Sequence, residues 1–205
     1  MHPKEFKQEK AGTGRLTHIS LPNSEIIVGI GFDENPAVQR LLADPTRKVV
    51  LLYPGEPALD PAAGDVSPAA LDHRELTILI LDATWSGARK MLRLSPSLHS
   101  LPRLRFTASQ PSRYVIKQQP DPGCLSTLEA VHETLLALAS AGIETYQPPF
   151  GLLELFARMQ QRQIDFASDP NRVGYRHRPY TPPAERVRPE GRSGRRRNFT
   201  GVEKT

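Results

Sequence analysis

The segment Leu81–Trp85, with the sequence Leu-Asp-Ala-Thr-Trp, combines a carboxylate, a hydroxyl and the only tryptophan of the chain. It follows an apolar run over 75–81 and precedes a basic helical pattern over 86–93. Such an apolar run is typical of a buried parallel strand, and ligands of open α/β sheets bind outside the carboxyl ends of the strands. This position makes Asp82 and Trp85 candidate site residues, with Asp82 suited to accepting a proton.

Each of these residues also has a purely structural interpretation. Asp82 or Thr84 fits the N-cap of the following helix, and Trp85 fits a core position. Ser126 and Glu129 have the spacing of a capping box, in which a serine or threonine and the third helical residue bond each other's amides. A catalytic and a capping role for Glu129 therefore both stay open.

The helix predicted over 86–94 has two distinct faces. Arg89 and Arg93 are four residues apart and share one face, which is either solvated or in contact with phosphate. The core-facing positions are Ala88, Met91 and either Leu94 or Ser95.

Strand and helix patterns alternate along the chain, which predicts an α/β fold with a mostly parallel sheet flanked by helices. Strands are predicted at 25–30, 48–53, 75–82, 103–107 and 113–117, helices at 36–43, 86–94, 126–141 and 149–167, and a loop at 55–72. Gly142 is predicted to end the third of these helices. His132 is expected on its polar side, and Cys124 is expected to be inert.

The net charge of +5 belongs to the end of the chain. Residues 170–205 contain ten Lys/Arg against three Glu, whereas the remaining residues contain 17 basic and 19 acidic side chains. The segment is rich in proline and poor in aliphatic residues, so it cannot bury enough surface to fold alone. We predict a catalytic domain over 1–168 and a basic, disordered or extended tail over 169–205. The tail suits nucleic acid, although a solvated extension is the simpler interpretation.

Several classes of protein are disfavoured by composition. The single cysteine excludes a disulfide framework and a cysteine-based zinc site within one chain, and no metal site is predicted. The N-terminal residues have no apolar signal core, and no stretch approaches 18 apolar residues, which predicts a soluble, cytoplasmic protein without a membrane partner. Gly29 and Gly31 resemble part of a dinucleotide loop, but Glu34 replaces the third glycine. A turn that needs positive φ is the expected explanation for this glycine pair.

A family resemblance is carried by a set of short motifs in a fixed order. They are Thr13–Leu16, Glu25–Gly29, Tyr53–Glu56, Leu81–Trp85, Ala88–Met91, Ser95–Pro96, Leu101–Arg103, Pro111–Tyr114 and Leu125–Ala130. Together they resemble the DTW-domain family over about residues 2–160. Members of that family are tRNA-uridine aminocarboxypropyltransferases, related to the corresponding rRNA enzymes and placed near the SPOUT superfamily, which implies a SPOUT-like fold.

The resemblance implies an activity and a set of site residues. S-adenosylmethionine would donate its 3-amino-3-carboxypropyl group to uridine N3 of tRNA, giving acp3U and methylthioadenosine. No metal and no obligate protein partner is implied. The implied catalytic residues are Asp82, Trp85 and Glu129. The implied cofactor-binding residues are Pro54, Gly55, Glu56, Leu81, Thr84, Leu125, Ser126 and Thr127. The implied RNA-binding residues are Arg89, Lys90, Arg93, Arg113, Tyr114 and Lys117.

Two features depart from the family pattern. Many members begin with paired CxxC motifs, which this sequence lacks, and Lys117 stands where an arginine is common. Lysine cannot form the bidentate phosphate contact of arginine, so RNA affinity or register is expected to differ. Two other functions stay open: an RNA methyltransferase of SPOUT type, and a non-catalytic RNA-binding protein.

Overall fold

The computed structural model describes residues 1–9, 11–117, 124–146, 151–169 and 180–186. In these ranges the helices are α1 (Pro3–Gln8), α2 (Thr13–Ser20), α3 (Pro36–Ala43), α4 (Pro68–Leu71), α5 (Trp85–Arg93), α6 (Thr127–Ser140) and α7 (Gly151–Ser168). The strands are β1 (Arg47–Leu52), β2 (Ala58–Leu59), β3 (Glu75–Ile80) and β4 (Arg103–Leu104). Short 3-10 turns span Pro61–Ala63, Pro96–Leu98 and Pro183–Glu185.

The four strands form one parallel sheet in the order β2-β4-β1-β3. The pairing of β1 with β3 runs from Arg47 opposite Glu75 to Leu52 opposite Ile80, so the two strands end at the same level. The predicted α/β architecture with a parallel sheet is therefore confirmed. The prediction that 75–82 is a fully buried strand is wrong, because β3 lies at the edge of the described sheet and its residues 76–80 are half-buried.

Helices cover both faces of the sheet because consecutive residues of β1 point to opposite sides. Leu51 packs with Val38 of α3 and Met91 of α5, whereas Val50 packs with Leu138 of α6. Val50, Leu51 and Met91 have no exposed surface, and full burial of such side chains stabilises a fold by about 1.5–3 kcal/mol each. The sheet is thus the middle layer between two sets of helices.

The predicted helices at 126–141 and 149–167 are confirmed as α6 and α7, which pack on each other and on α2. Gly142 has φ +71° directly after α6, so its predicted role at the helix end is also confirmed. The expectation for His132 is wrong. Its side chain is 6% exposed, and its Nδ1 lies 2.7 Å from the Tyr146 hydroxyl, which gives the buried ring a polar partner.

Other predicted elements are absent or shifted within the described residues. Residues 25–30 and 113–117 form no strand, and the predicted loop at 55–72 contains β2, a 3-10 turn and α4. Gly29 and Gly31 do not have the positive φ expected of them. A Cβ would lie 2.8 Å from the Phe32 ring at Gly29 and 2.9 Å from the Leu94 carbonyl at Gly31, so close packing explains both.

The N-terminal helices α1 and α2 were not predicted. Arg15 of α2 ties them together, because its guanidinium lies 4.1 Å from the Phe6 ring centroid and donates to the Phe6 carbonyl at 2.7 Å. In the predicted tail, only 169 and 180–186 are described, and the Arg186 guanidinium donates a hydrogen bond to the Val115 carbonyl. The expectations for 170–179 and 187–205 lie outside the described residues.

Candidate functional site

A cleft of about 480 Å³ opens at the carboxyl ends of β1 and β3. Its floor is formed by the residues that follow these strands, and α1, α2, α5 and α6 reach its sides. This volume lies in the range of small-molecule sites. Of the predicted site residues, the cleft brings together Pro54, Leu81, Asp82, Thr84, Trp85, Arg89, Tyr114, Lys117, Leu125, Ser126 and Thr127. It does not bring in Gly55, Glu56, Lys90, Arg93, Arg113 or Glu129.

Asp82 is held in place from two sides. The Thr127 hydroxyl donates to Asp82 Oδ1 at 2.7 Å, and a Cβ built on Gly14 would lie only 2.4 Å from Asp82 Cγ and Oδ2. Only a glycine lets the backbone of α2 approach the carboxylate so closely. The N-cap of α5 is Thr84, whose hydroxyl accepts from the Gly87 amide at 3.2 Å, so the interpretation of Asp82 as that cap is wrong.

Three helices begin at the cleft, each with residues of its first turn or cap in the lining. These are α2 near Gly12 and Thr13, α5 near Thr84, and α6 near Ser126 and Thr127. Helix N-termini carry a partial positive charge and point free amides outward, so they favour anionic ligand groups. The cleft thus combines a fixed carboxylate with helix ends that can bind a carboxylate or a phosphate.

Glu129 forms the predicted capping box. Its carboxylate accepts from the Ser126 amide at 2.9 Å, and its own amide donates to Ser126 Oγ at 3.4 Å. It also accepts from the Ser112 hydroxyl at 2.9 Å and the Arg113 amide at 2.5 Å. The side chain is 4% exposed and borders a separate cavity of about 80 Å³, beside His132. Its contacts therefore join the segment 112–113 to the start of α6.

Gln160 explains why the segment 113–117 forms no strand. The side-chain oxygen of this buried residue accepts from the Val115 amide at 2.7 Å, and its nitrogen donates to the Arg113 carbonyl at 3.1 Å. One amide side chain thus supplies the donor and acceptor that a neighbouring strand would otherwise provide. The segment thus has side-chain partners for part of its backbone without belonging to the sheet, and its residues 116 and 117 form a bend.

Tyr114 and Lys117 bring this segment to the cleft. The Tyr114 ring packs edge-on against Phe156 with centroids 5.0 Å apart, and burial raises the pKa of its hydroxyl, with nearby carboxylates including Glu9 adding to the shift. Lys117 Nζ lies 3.5 Å from Glu9 Oε2 and 5.9 Å from the Tyr114 ring centroid. This side of the cleft is therefore rich in carboxylates, with one lysine among them.

Tyr53 and Trp85 form the opposite side. Their ring centroids lie 6.3 Å apart at an interplanar angle of 54°, and both rings are half-buried. The Arg103 guanidinium lies 5.8 Å from the Tyr53 ring centroid. Burial raises the pKa of the Tyr53 hydroxyl, while Arg89 and Arg103 act in the opposite direction. Burial also lowers the pKa of Arg103. Trp85 is therefore neither a fully buried core residue nor a free surface residue.

The remaining predicted RNA-binding side chains point to solvent. Arg89, Lys90 and Arg93 are exposed on α5, and Arg113 is exposed beside Glu129. On the core side of α5, Ala88 and Met91 are buried as predicted. The third core position belongs to Ser95, which is fully buried, whereas Leu94 is 46% exposed.

Sequence reasoning missed four residues that shape this cleft: Glu5 of α1, Glu9 at its C-cap, Gly14 of α2, and Tyr53 after β1. The acids lie in and directly after a helix of six residues, which is too short to give a clear periodic signal. Gly14 lies inside a helix, where glycine lowers the expectation of a helix. Tyr53 was visible as the aromatic residue at the end of the strand pattern.

The described residues contain no group of three or more His, Cys, Asp or Glu side chains arranged to hold a metal ion. None of the helices in the described ranges combines the length and apolar character needed to span a bilayer.

The chain belongs to the DTW-domain family, whose model matches residues 1–164. It is 35% identical over 144 residues to tRNA-uridine aminocarboxypropyltransferase 2 of Drosophila melanogaster, covering 68% of this chain and 54% of that protein. It is 31% identical over 175 residues to the Mus musculus protein of the same name, covering 82% of this chain and 56% of that protein. The chain thus spans about half the length of these curated relatives. No solved structure matches the chain significantly.

Proposed function

We propose that this protein transfers the 3-amino-3-carboxypropyl group of S-adenosylmethionine to N3 of a uridine in tRNA. The observation that carries the proposal is the fixed carboxylate of Asp82 in a cleft at the strand ends of a DTW-family domain. The names of the relatives support the reaction class. In the reaction, N3 would lose its proton and bond to the γ-carbon of the aminocarboxypropyl arm, the bond from that carbon to sulfur would break, and its electron pair would leave with sulfur to give methylthioadenosine.

The residues present fit such a cofactor. The volume of the cleft suits a nucleoside-sized ligand, and its helix N-termini can bind a carboxylate, while Asp82 and Glu9 can bind cationic groups. We propose that Leu81, Thr84 and the segment 125–127 hold the cofactor. When bound, S-adenosylmethionine supplies a carbon that is already electrophilic, so the protein's task is to place the uridine against it.

We propose that Asp82 assists removal of the weakly acidic N3 proton. The Thr127 hydroxyl donates to Oδ1 of the Asp82 carboxylate. Among the described contacts, Oδ2 is the oxygen left to accept the proton. Trp85 would form part of the wall that positions the reactants. Glu129 accepts from three donors, so we propose that it positions the cleft segment 111–117.

The test is a reaction of the purified protein with an unmodified tRNA transcript and S-adenosylmethionine. We expect acp3U in the digested RNA and an equal amount of methylthioadenosine, both measured by mass spectrometry. S-adenosylhomocysteine with a methylated base would instead identify a methyltransferase. Binding of tRNA without any turnover of the cofactor would indicate an RNA-binding protein, and either result would overturn the proposal.

A further inference from the structure

The cavity of about 80 Å³ lies beside the cleft, and we call it the side pocket. The loop residues 109–111 and 113 line it and are exposed, so they form its rim. Glu129, His132 and Glu133 of α6 line its inner side. Leu125 lines both the side pocket and the cleft, so the two cavities adjoin. An RNA strand with one nucleotide in the cleft can therefore place a neighbouring nucleotide at the side pocket.

Two glutamates of α6 hold the rim in place. The Glu133 carboxylate accepts from the Ser109 amide at 3.1 Å and from the Ser109 hydroxyl at 2.8 Å. Glu129 accepts from the Arg113 amide at the other end of the loop. The two glutamates are four residues apart and therefore neighbours on one helix face. The loop is thus attached to α6 at both of its ends, which gives the side pocket a defined shape.

His132 is a buried polar residue of the side pocket with one nitrogen unused. The residue is 6% exposed, and its Nδ1 lies 2.7 Å from the Tyr146 hydroxyl, but Nε2 has no partner among the described residues. Nε2 is not sealed from solvent, because the sealed side-chain atoms without a partner in the described ranges belong to Arg15 and Arg103. Burial lowers the pKa of His132, so its neutral ring has one donor and one acceptor nitrogen. Nε2 is therefore available to a ligand in the side pocket.

The chemistry of the lining determines the kind of ligand. The carboxylates of Glu129 and Glu133 accept hydrogen bonds and repel a phosphate at the inner side of the pocket. Carboxylates bind the exocyclic amino groups of bases, as glutamate does with N4 of cytosine. The exposed guanidinium of Arg113 on the rim can bind the phosphate of the same nucleotide. The volume is far below the roughly 300–1,000 Å³ of sites for drug-sized ligands, so it suits one edge of a base.

We propose that the side pocket binds the amino-bearing edge of a base next to the target uridine, with cytosine as the base that fits best. The amino group would donate to Glu133, and His132 Nε2 would bind a second group on the same base edge. This inference rests on the proposed function and adds a preference for the RNA sequence around the target. It also gives the implied RNA-binding residue Arg113 a specific place, at the rim of a pocket for a neighbouring nucleotide.

Binding of short single-stranded RNAs tests the inference. The probes are two labelled RNA pentanucleotides, one with a central uridine flanked by cytidines and the other with uridine at every position. Cytosine has an amino group where uracil has a carbonyl oxygen, so the pair differs in the group that the pocket is proposed to bind. We expect the unaltered protein to bind the cytidine-containing RNA about 5- to 150-fold more tightly in fluorescence anisotropy, the range typical of one specific base contact.

Glu133→Gln should abolish this preference, since it replaces one acceptor oxygen with an amide donor that suits uracil instead. The ratio of the two affinities should fall below twofold, and S-adenosylmethionine should bind as before because Glu133 does not line the cleft. Glu154→Gln is the matched control, because it removes an exposed carboxylate of α7 outside the side pocket. It makes the same change in net charge, which affects both RNAs alike, and should keep the ratio.

Ser109→Ala separates the carboxylate from the loop that it holds. This variant loses the hydroxyl contact to Glu133 but keeps both pocket carboxylates, so the preference for cytidine should remain. An equal loss of preference in Ser109→Ala and Glu133→Gln would assign the effect to the loop and overturn the inference. Equal affinity of the unaltered protein for the two RNAs, or a preference that survives Glu133→Gln, would overturn it as well.

These measurements do not need turnover, so they are independent of the test of the proposed function. A protein that prefers the cytidine-containing RNA but forms no acp3U would defeat the proposed function and leave the side pocket as a base-binding site. A protein that forms acp3U without any such preference would defeat the assignment of the side pocket alone.

Discussion

The cleft is bounded by two stretches of chain that are held in different ways. The stretch Leu81–Trp85 connects the end of β3 to the start of α5, where the Asp82 carbonyl accepts from the His2 amide at 3.0 Å and Thr84 caps the helix. The stretch 111–117 belongs to no described element and is held by the side chains of Glu129 and Gln160. The first depends on local pattern, whereas the second depends on two polar residues from distant helices. The proposed proton acceptor, Asp82, thus lies on the stretch that joins a strand to a helix, which we call the regular side, and the stretch 111–117 forms the irregular side.

The regular side is tested most severely by Asp82→Asn, which retains the shape of the side chain and removes its charge. Loss of a positioned proton acceptor costs about 10²–10⁴-fold in rate. We expect methylthioadenosine release to fall by at least two decades while the melting temperature stays nearly unchanged. Turnover at the wild-type rate would show that Asp82 is not the proton acceptor.

Gly14→Ala tests whether the close approach of α2 holds that carboxylate. Helix propensity alone favours alanine by about 1 kcal/mol, but the added Cβ would lie 2.4 Å from Asp82 Oδ2. We expect the carboxylate to be displaced and the rate to fall at least tenfold, with the helical signal in circular dichroism retained. Gly151→Ala is the matched control, because nothing lies within 4 Å of its new Cβ. Full activity of Gly14→Ala would show that α2 shifts to accommodate the added Cβ without displacing Asp82.

The contrast between these two stretches also explains which parts of the fold and of the site could be predicted from the sequence. The strands β1 and β3, the helices α3, α5, α6 and α7, and the capping box at Ser126 follow from local periodicity and spacing. The placement of Asp82, Trp85 and Thr127 in one cleft follows from the rule that ligands bind at strand ends, together with the family motifs.

The irregular side was not predictable from local pattern. Residues 113–117 have the aromatic and β-branched composition of a short strand, but a strand is defined by its pairing, and the partner here is the side chain of Gln160, 45 positions away from Val115. His132 was expected on the surface because it was placed on the polar side of its helix, whereas Tyr146 provides the buried ring with a partner that the helix pattern does not reveal. The cleft acids Glu5 and Glu9 lie in and directly after α1, a helix too short to be recognised from the sequence.

Gln160→Met tests the irregular side directly. Methionine fills a similar volume but leaves the Val115 amide and the Arg113 carbonyl without their partner, and such a loss costs about 1–3 kcal/mol. We expect the free energy of unfolding in urea to fall by that amount. Cofactor affinity should fall with it, because Tyr114 and Lys117 line the cleft. Gln161→Met changes the exposed neighbour on the same helix and should have little effect; an equal loss in both variants would mean that the contacts of Gln160 are not responsible.

The smallest expected effect comes from the basic tail, which meets the irregular side through Arg186 and the Val115 carbonyl. Residues 187–205 contain six Lys/Arg against two Glu, and residues 170–205 contain ten against three. Truncation after residue 169 should weaken tRNA binding several-fold at moderate salt and flatten its salt dependence, because fewer counterions are released. Truncation after residue 186 keeps the Arg186 contact and should lose less tRNA affinity. Both truncated proteins should still bind S-adenosylmethionine. If only truncation after residue 169 weakens S-adenosylmethionine binding, Arg186 supports the segment 113–117. If both truncations leave tRNA affinity and its salt dependence unchanged, RNA recognition lies in the residues before 170.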